Sequence, residues 1–297
     1  YAVDGEKVRE YFPMDKVIDG LFSVTQSLYG LEYRDVTKTK GGTASRPLWH
    51  EDVRLFEVYD KAPGPTQGQL IGEFYLDLYP RDNKYSHFAQ WSLVNHRVAT
   101  DGTVTKPLAA LVCNFTKPEG DKPSLLGHEE VETFFHEFGH CLHTIVSTAQ
   151  MNRFGGTNTE LDFVEAPSQM FENWVWDADV LNTFAKHYKT GEPFPKALLD
   201  GMIAAKNLGS GLDAENQFYY GLLDLGYQTT ADGKVDTTAV AIALYPEVTT
   251  YHFKPNATFF QASFGHLMGY TAGYYSYMWS KVFAADIAQR FKELGML

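Results

Sequence analysis

Two histidines and a glutamate form the pattern in this sequence that most directly indicates chemistry. His136 and His140 stand four residues apart, and Glu137 follows the first histidine directly. On an α-helix four residues span just over one turn, so both imidazoles project from one face and can converge on a single cation. Glu137 lies about 100° further round such a helix, which leaves its carboxylate free to accept a proton from water. The pattern therefore predicts a zinc site that activates a water molecule.

The residues around this pattern bear on whether it binds a metal. A pair of helical histidines is more often a surface feature or a hydrogen-bonded part of the core than a metal site. Here apolar side chains on both sides of the pattern predict a buried helix: Phe134, Phe135, Phe138, Leu142, Ile145 and Val146. Buried imidazoles require partners, so this burial favours the metal site.

A catalytic zinc centre has three protein ligands and a water, so one more ligand is needed. Glu165 follows His140 after 24 intervening residues. Asp162 with Glu165 also resembles a helix N-terminal capping pair, and the residues alone leave capping and ligation of Glu165 equally open. Glu160, Asp162 and Glu172 are rival ligands, or carboxylates that orient an imidazole by accepting its N–H.

A tyrosine-rich segment near the C-terminus is the second candidate for chemistry. Tyr270, Tyr274 and Tyr277 stand at offsets of four, three and seven residues. On a helix one face then presents several phenols, and a phenol can donate a hydrogen bond to the oxyanion of a tetrahedral intermediate. An aromatic packing stripe is the alternative, which the residues alone favour.

The elements that must position these residues follow from periodicity. Residues 14–29 are predicted to be a helix that ends at Gly30, and the histidine pair lies on a helix over about residues 128–148. Alternating runs at 53–59, 70–78 and 109–115 predict a small, largely antiparallel sheet of three to five strands. Further helices are predicted at 163–178, 178–188, 195–206, 212–228, 236–244 and 272–293. The fold class is α+β, predominantly α-helical, in one unit.

Composition excludes several classes of protein. The 297 residues are 44% hydrophobic and 21% charged, which is typical of a soluble globular chain. The net charge of −12 disfavours nucleic acid as a partner and provides no basic surface for a membrane. Cys113 and Cys141 are too few for a disulfide framework and predict free thiols. No apolar run approaches a membrane span, so a cytoplasmic location is expected.

Several segments together resemble a known family. His136-Glu-Phe-Gly-His140 and Asp162-Phe-Val-Glu165-Ala-Pro-Ser-Gln are similar to the signature of the thimet oligopeptidase family of zinc metallopeptidases, peptidase family M3. Further segments carry the resemblance: residues 11–14, 48–56, 74–81, 113–115 and 264–279. The resemblance implies a zincin-like catalytic domain, with a small, mostly antiparallel sheet beside the helix that bears the histidines.

The resemblance also implies roles for individual residues. Glu165 becomes the third ligand of one Zn²⁺ per chain, beside His136 and His140, and Glu137 is the proton acceptor. His266, Tyr270 and Tyr277 match the positions that bind substrate and stabilise the transition state in the family. Similarity to zinc peptidases further implies that the strand at residues 109–115 is an edge strand that pairs with the substrate backbone.

The function implied is that of a zinc-dependent metalloendopeptidase acting on short peptides. The alternatives are a peptidyl-dipeptidase with the same site, and a zinc-binding fragment with little activity of its own. Residues 1–297 correspond to the family's C-terminal catalytic region, with the sheet in about residues 48–125 and a mostly helical part in about 127–297. The helical N-terminal half of the family is absent and is a candidate partner.

Overall fold

A five-stranded mixed sheet flanked by helices is the main feature of the computed structural model, which describes residues 3–38, 46–230, 233–251 and 259–297. The strands in chain order are β1 (Leu31–Asp35), β2 (Arg54–Asp60), β3 (Leu70–Asp77), β4 (Ala89–Val94), β5 (Arg97–Val98), β6 (Val104–Thr105) and β7 (Leu108–Val112). The helices are α1 (Gly5–Arg9), α2 (Met14–Tyr29), α3 (His128–Ile145), α4 (Leu161–Val164), α5 (Ala166–Phe171), α6 (Ala178–Phe184), α7 (Lys196–Ala205), α8 (Ser210–Gln228), α9 (Thr237–Val248), α10 (Phe260–Ser263), α11 (His266–Gly269) and α12 (Ser276–Leu294). The predicted α+β class, with more helix than strand, is confirmed.

The strand order of the main sheet corrects one prediction. The order is β1-β2-β3-β7-β4, with β3 and β7 parallel and the other neighbours antiparallel. The predicted edge strand at residues 109–115 corresponds to β7, which lies inside the sheet, so that prediction was wrong. Its sequence is a continuous apolar run, buried along most of its length, as interior strands are. On this side of the sheet the edge strand is β4, and two of its residues, Trp91 and Leu93, are exposed.

The sheet also begins earlier than predicted. β1 pairs with β2 in register from Leu31↔Asp60 to Asp35↔Phe56, so the sheet includes residues well before position 48. β1 follows α2 directly through Gly30, which adopts a left-handed φ of 63°. A residue with a Cβ is strained at this φ, so glycine permits the sharp turn from helix to strand. The predicted helix at residues 14–29 is confirmed.

Helix α3 packs an aromatic side onto the sheet and α2. Phe134, Phe135 and Phe138 are fully buried. The Phe138 ring stands edge-on to Phe74 of β3, with 5.3 Å between centroids, and lies 5.8 Å from the ring of Phe22 in α2. Each side chain of this size contributes roughly 1.5–3 kcal/mol on full burial. These contacts fix the rotation of α3, so its histidines turn toward α4 and α5.

The helical part is more broken than the sequence pattern predicts. The expected helix at 163–178 is divided into α4, α5 and a 3₁₀ segment, Glu172–Trp176. Pro167 lacks an N–H and interrupts the helical ladder at this point. The expected helix at 272–293 begins only at Ser276, because Ala272 has a left-handed φ of 57°. Within the described residues, no helix combines the length and apolar character needed to cross a bilayer.

Candidate metal centre

Two side chains of α3 and one from the junction of α4 and α5 converge at one place. The Nε2 atom of His140 lies 2.9 Å from Glu165 Oε2, and the Nε2 atom of His136 lies 3.2 Å from the same oxygen. One ligand atom from each residue lies within 4.8 Å of the other two. The structure therefore brings together the three residues that the sequence analysis singled out as metal ligands.

The position of Glu165 corrects the capping interpretation. Glu165 lies between α4 and α5, and its side chain makes no capping hydrogen bond to either helix. The carboxylate is instead 2% exposed and directed at the two imidazoles. Ser168, one turn further, donates its Oγ–H to Glu165 Oε2 at 3.0 Å. Glu165 thus stands at the junction of the two helices, and its carboxylate faces α3.

Close approach of α3 and α5 makes this convergence possible. Gly139 stands one residue before His140, and a Cβ at that position would lie 2.7 Å from the Cα of Ser168. Real Cβ atoms essentially never approach another atom so closely, so any larger residue would push the two helices apart. The glycine in the pattern therefore sets the distance between the histidines and Glu165.

The other acidic residues of this segment divide into distinct roles. Glu172 Oε1 lies 2.7 Å from His136 Nδ1, and because a carboxylate only accepts, Nδ1 carries the hydrogen. When the imidazole of His136 is neutral, as metal binding requires, its lone pair is therefore on Nε2, the atom that faces Glu165. Asp162 instead accepts a hydrogen bond from Tyr275, and Glu160 is exposed at the start of α4. Among the three rivals, Glu172 is the one that contacts an imidazole here.

Burial and charge shape the protonation of these groups. Burial opposes the charged form of His136, but the carboxylates of Glu165 and Glu172 outweigh it and raise the pKa of the imidazole. Burial likewise opposes ionisation of Glu165, while both imidazoles hold the pKa of this carboxyl well below its usual range. Without a metal ion, the site thus stabilises the ionised carboxylate of Glu165 next to the protonated imidazole of His136. Two imidazoles and one carboxylate are also the donor set of catalytic zinc sites, so the residues present fit a divalent cation.

Glu137 occupies the space between α3 and the sheet edge. Its side chain is buried and lies beside the backbone N–H of Gln90 in β4. Burial, opposed by the imidazoles of His136 and His140, raises the pKa of Glu137 above its ordinary value. A raised carboxyl pKa is suited to accepting and then returning a proton near neutral pH. The carboxylate therefore stands beside both the ligand cluster and the edge strand.

The tyrosine-rich segment near the C-terminus also contacts the cluster of His136, His140 and Glu165. Tyr270 donates its hydroxyl hydrogen to Glu165 Oε1 at 2.7 Å. The ring of Tyr277 lies 5.2 Å from that of Tyr270 and 5.8 Å from His266. Burial is the largest cause that raises the pKa of both phenols, so they stay protonated and can donate. The ring of Tyr274 lies 5.1 Å from that of Tyr277, and its hydroxyl donates to Gln217 at 3.1 Å.

Ser168 and the edge strand β4 were missed by the sequence analysis. Ser168 belongs to a short helix in which serine has no special spacing relative to the histidines, so no local signal identifies it. β4 carries a weak signal, since apolar and polar residues alternate over Ala89-Gln-Trp-Ser-Leu93. Both depend on tertiary packing, and neither role can be read from residue types alone.

Comparison with known proteins agrees with the geometry. All of residues 1–297 match the model of a family described as peptidase family M3. Thimet-like oligopeptidase of Dictyostelium discoideum is 41% identical over 303 residues, oligopeptidase A of Escherichia coli 40% over 307 residues, and saccharolysin of Saccharomyces cerevisiae 37% over 291 residues. The matches cover 100%, 100% and 97% of this chain. The chain spans 43%, 42% and 40% of the length of these relatives.

Proposed function

The chain belongs to peptidase family M3, and on that premise we propose that it hydrolyses short peptides as a zinc-dependent metalloendopeptidase with a zincin-like catalytic domain. The observation that carries the proposal is the convergence of His136, His140 and Glu165, with Glu137 between this cluster and the edge of the sheet. Peptidase and oligopeptidase are also the activities that the names of the relatives state.

We assign the ligands of one zinc ion to the Nε2 atoms of His136 and His140 and to the carboxylate of Glu165. Glu172 holds the His136 ring by accepting its Nδ1–H, and Tyr270 and Ser168 restrain the carboxylate of Glu165. A cation bound there polarises the scissile carbonyl and lowers the pKa of water.

Glu137 acts as the general base and then as the general acid. Its carboxylate accepts a proton from the attacking water as the new C–O bond forms. It then delivers this proton to the amide nitrogen as the C–N bond breaks, so the leaving chain departs as an amine. Since burial raises the pKa of Glu137, its carboxylate accepts the proton more readily than the carboxylate of a solvent-exposed glutamate would.

Negative charge that develops on the carbonyl oxygen needs a hydrogen-bond donor. Tyr277 is the donor that we assign, because its ring lies beside those of Tyr270 and His266, and Tyr270 contacts Glu165. Tyr270 donates to Glu165 in this structure, so it restrains a ligand, and His266 flanks the two phenols. Removing one such donor typically costs about 10²–10³ in kcat.

The substrate backbone is proposed to pair with β4 instead of the strand at residues 109–115. β4 bonds to β7 along one side, and its other side is the edge of the sheet. An extended peptide can add to such an edge through main-chain hydrogen bonds. The amide of Gln90 links this edge to Glu137, so a peptide bound there passes beside the proton acceptor.

Cleavage of a short, internally quenched peptide tests the proposal. We expect cuts at internal bonds, identified by mass spectrometry, that a chelator abolishes and added Zn²⁺ restores. Release of C-terminal dipeptides would instead identify a peptidyl-dipeptidase with the same site. A folded, zinc-loaded protein that cleaves no peptide would identify a zinc-binding fragment and contradict the proposed activity of this chain.

A further inference from the structure

A buried carboxylate outside the metal centre accepts hydrogen bonds from the segment that carries the phenols. Asp224 lies in α8 and has no exposed surface. Its Oδ1 accepts the backbone N–H of Ala272, and its Oδ2 accepts that of Tyr274, each at 3.0 Å. Each oxygen of the carboxylate thus accepts a hydrogen bond from a backbone amide of the same turn. Both hydrogen bonds are charge-assisted.

The turn that Asp224 holds is strained. Ala272 has a φ of 57°, a left-handed conformation that residues with a Cβ rarely adopt. At Gly273 a Cβ would lie 2.5 Å from the carbonyl oxygen of Tyr270, so the chain folds back tightly on itself there. Backbone in such a conformation persists only when its surroundings impose it. The carboxylate of Asp224 accepts hydrogen bonds from the residues on both sides of Gly273 and so restrains the turn.

The same turn determines where the phenols lie. It joins α11 to α12, with Tyr270 immediately before it and Tyr277 in the first turn of α12. Tyr270 reaches Glu165 on one side of the turn, and on the other side the backbone carbonyl of Tyr277 accepts a hydrogen bond from Gln169 at 3.0 Å. A shift of the turn would therefore move both phenols relative to Glu165.

We propose that Asp224 is a positioning residue of the active site, which fixes the turn at Ala272 to Tyr274 so that Tyr270 and Tyr277 stay beside Glu165. The hydrogen bonds that Asp224 accepts come from the backbone of the turn, so it acts on the phenols through the turn. The inference rests on the proposed function, because the phenols are the groups through which Asp224 acts.

The first test compares two substitutions in α8. Asp224→Asn replaces one acceptor by an NH₂ group that faces a backbone donor, whereas Tyr219→Phe removes a buried hydroxyl that donates to Ala241 of α9, away from the turn. We expect Asp224→Asn to lower kcat about tenfold to a hundredfold with little change in KM, as a displacement of about 1 Å does. Zinc content stays at one per chain in both variants, and Tyr219→Phe keeps the wild-type kcat.

A double-mutant cycle separates positioning from a general structural effect. In a Tyr277→Phe background the phenol that Asp224 is proposed to place is already absent, so Asp224→Asn should then cost much less in kcat. Equal fold-losses in both backgrounds would overturn the proposal, because the carboxylate would then act independently of Tyr277.

Hydrogen–deuterium exchange provides a readout that needs no activity. Asp224→Asn should accelerate exchange at the amides of Ala272 and Tyr274, and Tyr219→Phe should not. Unchanged exchange, or faster exchange with wild-type kcat, would overturn the positioning role while the proposed function stands. A wild-type protein that cleaves no peptide would contradict the proposed function itself, and the positioning role would fall with it.

A second variant covers the case in which Asp224→Asn does not fold. Glycine adopts a positive φ without strain, so Asp224→Asn combined with Ala272→Gly retains the turn more easily. Its kcat should still lie below that of Ala272→Gly alone, since one of the two backbone amides has lost its acceptor. Equal kcat values for these two variants would overturn the proposal.

Discussion

At the scale of single residues, the contact between Glu172 and His136 has a direct consequence for metal binding. Glu172 fixes which nitrogen of the imidazole carries the hydrogen and holds the ring in place. Carboxylates in this position typically contribute about 10- to 100-fold to metal affinity. Glu172 therefore belongs to the metal site even though it is not assigned as a ligand.

We expect Glu172→Gln to weaken zinc binding about tenfold, because a neutral amide holds the imidazole N–H less strongly. Competition with a chromophoric chelator measures the affinity. Glu160→Gln is the matched control, since Glu160 lies in the same segment but is exposed. Equal affinities of the Glu172→Gln variant and the wild type would remove Glu172 from the site.

The sequence reveals ligands more readily than the groups that support them. His136 and His140 follow from helical spacing, and Glu165 follows from the resemblance to the family. Ser168 and Asp224 act through contacts between segments that are distant in sequence, so no local pattern identifies them. Supporting groups of this kind become visible only in the folded chain.

At the scale of elements, the distance between α3 and α5 depends on Gly139. We expect Gly139→Ala to lower the free energy of unfolding by about 1–3 kcal/mol, because the added methyl group overpacks the contact with Ser168. It should also weaken zinc binding by moving Glu165. Urea unfolding and chelator competition measure the two effects.

The control is Gly211→Ala, in which the new methyl group in α8 meets open space. Alanine favours helix over glycine, so this variant should match or slightly exceed the wild type in stability. If Gly139→Ala behaved in the same way as Gly211→Ala, the close approach of α3 and α5 would not control the site.

The elements were predicted unevenly, for physical reasons. α2 and α3 have strong helical periodicity and were predicted almost to the residue, although α3 ends at Ile145 and not at residue 148. β1 is a mostly polar run and β4 is only partly buried, so both carry a weaker signal than the apolar runs of β2 and β3. Sheet order depends on pairing between distant segments, which is why β7 was mistaken for the edge.

At the scale of the whole molecule, the free energy of unfolding should depend on pH in the acid range, because of Asp77. This side chain at the end of β3 is 2% exposed. Burial opposes its ionisation, but hydrogen bonds from Arg81, Trp49 and Lys84 outweigh burial and lower the pKa of Asp77 to about 2. The folded chain therefore holds this carboxylate ionised at a pH where the unfolded chain has already bound a proton.

The sign of the effect follows from this difference. The contribution of Asp77 is fully present above its unfolded pKa of about 4 and is lost as pH falls toward about 2. We expect Asp77→Asn to lower stability at neutral pH by about 1–3 kcal/mol, because it removes the charge that pairs with Arg81 and with the buried ammonium of Lys84. The variant should also flatten the decline of stability in this acid window.

Urea unfolding at a series of pH values, with chelator present so that zinc binding does not contribute, measures both effects. Asp286→Asn is the control, since Asp286 is exposed on α12. If the stability of the Asp77→Asn variant fell with pH as steeply as that of the wild type, Asp77 would not be the cause of the acid dependence.

The length of the chain limits what its relatives imply about it. It spans about two fifths of the relatives that it matches, so activity, substrates and partners of those longer proteins are proposals for this chain. The cytoplasmic location also remains a prediction from composition. Within the described residues, the three side chains that could hold a metal ion and the phenol that contacts one of them come from this chain alone.

Glu137→Gln tests the central claim most directly, with zinc content and peptide turnover measured on the same samples. The substitution keeps the size of the side chain and leaves all three assigned ligands intact, but the amide cannot accept the proton of water. We expect one zinc per chain in both proteins, and a loss of about 10²–10⁴ in kcat for the variant, the usual contribution of a general base. Undiminished turnover by the zinc-loaded variant would contradict the mechanism.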